Sequence, residues 1–257
     1  MGIFKELYDY REMIYMLVRR EIRGRYKGSV LGFFWTFLNP LLQFVVYAVV
    51  FSVLLRSDIE KFYVYMFVAF IPWFFFSTAI PQGANCILTH NTMVQKIYFP
   101  RMVLPISTVL TGFVNMLLSE IVVFIVLILS GFIPSYHVIA LPVVMLVQLM
   151  FVLGIVLIVS ALTVYFRDLS HILDIIVMLW FYLTPVVYSI DIIPEQFRGF
   201  IYLNPMTGII ECYRSILYYR TWPEFSMMLL AFVLGVISIV GGMVVFQRLQ
   251  KGFAEEL

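Results

Sequence analysis

Six long apolar segments occupy most of this 257-residue chain, and the stretch before them is strongly basic. Lys5, Arg11, Arg19, Arg20, Arg23, Arg25 and Lys27 put seven of the 17 Lys and Arg residues into the first 28 positions. Residues 29–55 then carry no charge at all. An apolar fraction of 63% with only 12% charged residues is far from the roughly 45–50% and 25% of soluble domains. A soluble surface must be covered with polar groups, and lipid as solvent removes that demand. Crossing a bilayer takes roughly 20 apolar residues as helix. The pattern predicts an all-α membrane protein with six transmembrane helices and no separate soluble catalytic domain.

The expected spans are 31–55, 62–84, 103–130, 138–165, 172–188 and 227–246, a single transmembrane domain over 29–257. Residues 3–22 are not a span. Leu7, Ile14, Leu17, Val18 and Ile22 recur at helical spacing with Glu6, Asp9, Glu12 and Arg19 between them. Such a helix lies on a membrane surface, or packs on its own protein, and with the basic stretch it makes a cytoplasmic unit over 1–28. Six spans return the chain to its starting side. With the N-terminus inside, twelve of the 17 basic residues fall on inside segments; Arg56, Lys61, Arg198, Arg214 and Arg220 fall outside. The positive-inside rule therefore expects both termini in the cytoplasm. Cys86 then falls in the cytoplasmic connection 85–102 and Cys212 in the external connection 189–226, so no disulfide joins them.

The external connection is semi-apolar. Residues 205–219 read as helical, with Asn204 at the N-cap and Pro205 in the first turn. They are too short and too charged to span, so short re-entrant helices before the last span are expected. Within the spans, Glu120 must face protein or water because an intramembrane acid is costly in lipid. Asp174 stands about one turn into its helix and can reach the interface.

No catalytic set emerges. None of Lys5, Lys27, Lys61, Lys96 or Lys251 follows a glycine, so the chain has no P-loop and no ATP hydrolysis by that route. His90, His137 and His171 are far apart, and no Cys/His spacing suits a metal. Arg167 and Asp168 read as a polar cap between two helices. The basic run Arg19, Arg20, Arg23, Arg25 and Lys27 has two readings. It sets topology and anchors headgroups, or it docks the pyrophosphate of a lipid-linked substrate, since Arg offers a planar fork and Lys a point charge for phosphate. Aromatic residues are 18% of the chain. Tyr63, Tyr65, Trp73 and Trp180 are expected in interfacial belts. Phe74, Phe75, Phe76, Tyr218 and Tyr219 suit ordinary packing first, and the faces of sugars second.

Three stretches are similar to one family. Arg25-Tyr26-Lys27-Gly28-Ser29-Val30-Leu31-Gly32, followed by Trp35 and Asn39-Pro40, resembles the approach to the first span of ABC-2 type permeases that export polysaccharides. Lys96-Ile97-Tyr98-Phe99-Pro100-Arg101 with Pro105 resembles their first cytoplasmic loop. Pro185, Pro194, Leu203-Asn204-Pro205 and Tyr213-Arg214 resemble their C-terminal pattern. The likeness runs in order along the chain and is to the O-antigen branch, with teichoic-acid and capsule exporters close behind.

The resemblance implies a homodimer in a bacterial inner membrane, paired with two separate ATPase subunits that bind ATP and Mg, and no cofactor in this chain. It implies a glycan carried on undecaprenyl pyrophosphate, and no nucleic acid. It assigns Arg19, Arg20, Arg23, Arg25 and Lys27 to the lipid pyrophosphate. Asn91, Lys96, Tyr98, Phe99 and Arg101 go to ATPase coupling. Pro194, Asn204, Pro205, Tyr213 and Arg214 form an external gate over a conduit between the first and fifth spans. The competing readings are an exporter of a drug or small lipid, and an intramembrane enzyme on polyprenyl phosphates, which would need an acidic or His cluster.

Overall fold

In the computed structural model the described residues are 3–24, 32–55 and 59–256. Among them every regular element is helical. Two amphipathic helices, α1 (Ile3–Asp9) and α2 (Arg11–Gly24), come first. The single helix expected over 3–22 is thus interrupted at Tyr10, although Tyr10 N still reaches Glu6 O at 3.1 Å. Then follow α3 (Trp35–Leu55), α4 (Phe62–Thr89), α5 (Asn91–Lys96), α6 (Val103–Leu129), α7 (Leu141–Tyr165) and α8 (Leu169–Leu183). Two short helices, α9 (Glu195–Tyr202) and α10 (Pro205–Arg214), precede α11 (Phe225–Leu249) and a final turn, α12 (Phe253–Glu256).

Four stretches among the described residues are long and apolar enough to cross a membrane: Phe62–Thr89, Val103–Leu129, Tyr136–Tyr165 and Phe225–Gly252. Two shorter apolar helices, Phe37–Val50 and Leu169–Leu183, accompany them. The helix expected as the fifth span, 172–188, has other bounds: it occupies Leu169–Leu183. α8 has 15 residues, or about 22 Å at 1.5 Å per residue. Pro185 explains the stop. It lacks an amide and forces the residue before it toward extended geometry, and Thr184 sits at ψ 130°.

The connection 85–102 is corrected as well. α4 runs on to Thr89 because its polar residues bond back to the helix: Asn85 Nδ2 donates to Pro81 O (3.1 Å) and Thr89 Oγ1 to Asn85 O (2.9 Å). Cys86 is consequently a buried helical residue rather than a loop residue, and both cysteines are free. Tyr65 and Trp73 do not lie in an interfacial belt; they are buried in the main core, at 1% and 4% exposure.

α4 is the central pillar, packed by α3, α6, α7, α8 and α10. Around it the outward residues are apolar. Leu117, Ile121, Ile125 and Ile128 form one exposed stripe on α6, and Leu229, Phe232, Val233 and Ile237 another on α11. The end of α6 is closed by Gly131 at φ 81°, a left-handed value that favours glycine. Phe132 N returns to Leu127 O and Gly131 N to Ile128 O, the Schellman pattern. Lys61 Nζ caps Ser130 O at 2.6 Å, a cation at the negative end of a helix.

α7 and α11 form the most extensive helix pair. Their backbones touch: a Cβ on Gly154 would fall on the backbone of Ser238, and one on Gly242 on the carbonyl of Gly154. Small residues are what allow such an approach where no hydrophobic force separates helix from lipid. Gly154→Leu should therefore push the pair apart and lower the unfolding free energy by about 1–3 kcal/mol, the usual cost of overpacking. Gly241→Ala, where the added carbon meets nothing within 4 Å, should leave stability unchanged or raised. Thermal unfolding in detergent decides; equal midpoints for both variants would contradict this packing.

Candidate functional site

Three groups of side chains concentrate polar and aromatic chemistry. The first is built by α2. Leu17 is buried in a core with Ile87, Val103 and Leu104, and Met13 and Ile14 pack beside it. The apolar stripe of α2 thus rests on its own protein, and Arg19, Arg20 and Arg23 are left exposed. Arg20 Nη2 stands 3.0 Å from Nε2 of His90, the residue that closes α4. His90 Nδ1 is 2.9 Å from Cys86 O. A neutral ring satisfies both, donating from Nδ1 and accepting the guanidinium at Nε2. Arg20, Glu21, Gln82, Asn85 and His90 line a cavity of about 680 Å³. Arg25 and Lys27 lie outside the described residues, so of the basic run only Arg20 is seen to reach this cavity.

The second group follows α5. Asn91 opens that helix and Lys96 closes it. Tyr98 is 90% exposed and Ile97 56%, whereas Phe99 is 6% exposed. Phe99 and Arg101 turn inward. Arg101 donates to Gln250 O and lies 5.6 Å over the Phe253 ring, which fastens the α5 connection to the end of the chain. Lys96, Ile97 and Tyr98 therefore form the outward face, and Phe99 and Arg101 hold it in place.

The third group sits where α8 meets α10. Asn204 caps α10 as its residue type demands, its Oδ1 accepting from Met206 N at 3.0 Å. The same oxygen accepts from Trp180 Nε1 at 2.9 Å, and its Nδ2 donates to Thr184 Oγ1 at 2.8 Å. One amide thus ties α10 to the end of α8. Arg214 is fully enclosed. It pairs with Glu211 at 2.7 Å, donates to Val186 O at 2.8 Å and stacks 3.7 Å over Tyr65. Tyr213 Oη donates to Gln148 Oε1 at 3.0 Å, and Gln148 Nε2 donates to Pro72 O at 2.7 Å. Burial pushes the Cys212 thiol up to about 12, so it stays protonated. Of the five expected gate residues, Tyr213 and Arg214 are internal anchors. Pro194 is exposed at the start of α9, whose Phe197 and Phe200 are also exposed.

Between these ends an aromatic groove of about 280 Å³ runs along α3, α4 and α8. Its rings interlock: Tyr47 and Phe181 at 5.3 Å, Trp73 and Phe181 at 5.5 Å, Tyr47 and Phe70 at 5.6 Å between centroids. Gln43, Ser77 and Asp174 line it beside the rings, as do Tyr47, Trp73 and Tyr182, which carry polar tips. No group of three or more His, Cys, Asp or Glu placed to hold a metal occurs among the described residues.

The sequence pattern of the family described as ABC-2 type transporter matches residues 12–218. The chain belongs to the ABC-2 type transporter family. It is 37% identical over 257 residues to the O-antigen export system permease protein RfbA of Myxococcus xanthus, across 99% of each chain. The protein of that name from Klebsiella pneumoniae is 30% identical over 96% of this chain and 95% of its own. The polysialic acid transport protein KpsM of Escherichia coli is 25% identical over 77% of this chain and 78% of its own.

The groove residues Gln43, Tyr47 and Tyr182 were not singled out by the sequence. A signal existed: Asn39, Gln43 and Tyr47 recur every fourth residue in an uncharged helix, which places them on one face. Gln148 and His90 were missed because each does its work through a contact distant in sequence. Arg214→Met should lower the unfolding free energy of this ABC-2 protein by about 3–5 kcal/mol, the usual loss on removing one partner of a buried pair. Arg23→Met, on an exposed position of α2, should shift it by less than about 0.5 kcal/mol. Comparable losses in a denaturant or thermal titration would contradict the anchoring role.

Proposed function

We propose that this chain is the permease subunit of an ATP-driven ABC-2 exporter that moves a polysaccharide of the O-antigen or capsule kind across a bacterial inner membrane. The observation that carries the reading is the aromatic groove between α3 and α8, in a chain of this family whose whole-length relatives are named as O-antigen export permeases. Flat rings offer sugar faces a surface with few fixed hydrogen bonds, so a polymer can slide along them. Among the described residues Asp174 is the one acidic side chain lining the groove.

The remaining parts follow from that path. The chain crosses the membrane six times with both termini inside, α3 and α8 forming the first and fifth spans with partners around them. Two copies meet across the exposed apolar faces of α3 and α8, where Val46, Val49, Ile175 and Leu179 are open. ATP and Mg are bound by two separate ATPase subunits, since this chain has no P-loop. Lys96, Ile97 and Tyr98 press on those subunits, and the pinning of Arg101 to Gln250 passes their movement to α11. Arg19, Arg20 and Arg23, joined by Arg25 and Lys27, hold the pyrophosphate of the undecaprenyl carrier. α9, with no buried residue of its own, caps the far end.

The test is genetic and chemical together. Deleting the gene should remove the polymer from the cell surface and leave lipid-linked glycan inside, and the wild-type chain should restore export. The triple variant Arg19→Ala, Arg20→Ala, Arg23→Ala should reach the membrane normally and export several-fold less polymer. Undiminished surface polymer in the deletion strain would overturn the export reading. Normal export by the triple variant would overturn the headgroup role of these three arginines alone.

A further inference from the structure

Between α3, α4 and α6 lies a second cavity, of about 330 Å³, with a different chemistry from the groove. Asn39 and Gln43 reach it from α3, Ser77 and Gln82 from α4, and Asn115 and Ser119 from α6. Among the described residues no charged side chain lines it. Asn39, Gln43 and Gln82 are exposed, Asn115 is half-buried and Ser119 is buried, and an enclosed polar atom is costly unless bonded. The two serine hydroxyls donate to carbonyls of their own helices, Ser77 to Phe74 O at 3.1 Å and Ser119 to Asn115 O at 3.0 Å. Their lone pairs remain as acceptors. Asn115 Oδ1 is enclosed with no hydrogen-bond partner among the described residues. The wall therefore offers amide donors and several acceptors, one of them unfulfilled, and no net charge.

A ligand matched to that wall is uncharged and rich in hydroxyls, each of which both donates and accepts. The cavity lies at the lower end of the roughly 300–1,000 Å³ usual for small-ligand pockets, so it suits one ring-sized group rather than a length of polymer. Phe74 provides a flat apolar face beside the amides. Gln43, Phe74 and Ser77 line this cavity and the aromatic groove alike, so the two are neighbours across α3. We propose that the cavity is a subsite for a neutral sugar residue, held by its hydroxyls while the rest of the glycan occupies the groove. The subsite rests on the reading of the chain as a glycan exporter. It also separates two tasks: charged phosphate belongs at the arginine end, and neutral sugar at α3, α4 and α6.

The experiment uses the full chain with its ATPase partner in spheroplasts. Asn115→Cys is placed in a chain carrying Cys86→Ser and Cys212→Ser and is labelled with a small hydrophilic maleimide. Rates are compared between cells making polymer and cells in which the first glycosyl transfer is blocked, with surface polymer measured in the same cultures. The proposal expects labelling in blocked cells and several-fold slower labelling when polymer is made. Leu117→Cys, on the exposed stripe of α6, should stay unlabelled in both. Equal rates with and without polymer would overturn the subsite while export itself stands. No labelling in either culture would show the cavity closed to water and would overturn it too. If the unsubstituted chain exports no polymer at all, the exporter reading fails and the subsite with it. Ser119→Cys, nearly isosteric, repeats the measurement should Asn115→Cys not reach the membrane.

Discussion

In hydrocarbon a polar atom has no water to turn to, and that constraint governs how this chain is built. Helices satisfy the backbone internally, which is why every regular element described is helical. Side chains must do the same by reaching across helices. Gln148 bridges Tyr213 and the carbonyl of Pro72; Asn204 ties the cap of α10 to Trp180 and Thr184 on α8. Arg214 is held by a carboxylate, a carbonyl and a ring at once. These few bonds locate α10 against α4, α7 and α8 more specifically than apolar contact can, because apolar contact is non-directional.

The exceptions mark where the molecule has unfinished chemistry. Among the described residues Asn115 Oδ1, both Glu120 oxygens, Thr207 Oγ1 and Arg214 Nε are enclosed without partners. Glu120 is buried in protein, as an acid in an apolar helix must be. Asn115 borders the uncharged cavity behind α3. Apolar and basic character are likewise sorted by position: exposed arginines on α2, an aromatic groove midway, and enclosed anchors at α10.

Much of the fold was legible in the sequence because its signals are local. Hydropathy marks the long apolar helices, and the cap of α10 is written in Asn204 and Pro205. What failed was also physical. Thr184 and Pro185 end α8 within a continuous apolar run, and hydropathy does not register a missing amide. Asn85 and Thr89 look like loop residues by polarity but bond back to α4. The site was legible only in outline. The basic run and the Tyr98 turn stand out as charge and exposed aromatic character. That Phe99, Arg101, Tyr213 and Arg214 point inward depends on partners tens of residues away. Aromatics that composition assigns to an interfacial belt, Tyr65 and Trp73, are instead core because α4 is enclosed on most sides.

In the proposed function the labour is divided: this chain supplies the path, and a separate subunit supplies the energy. Isolation of the chain from its native membrane in mild detergent, with assay of nucleotide-binding protein and ATP turnover, tests that division most directly. The expected result is an equimolar nucleotide-binding subunit with vanadate-sensitive ATP hydrolysis that disappears when the two are separated. Recovery of the chain intact and alone, or ATP hydrolysis by the isolated chain, would contradict it.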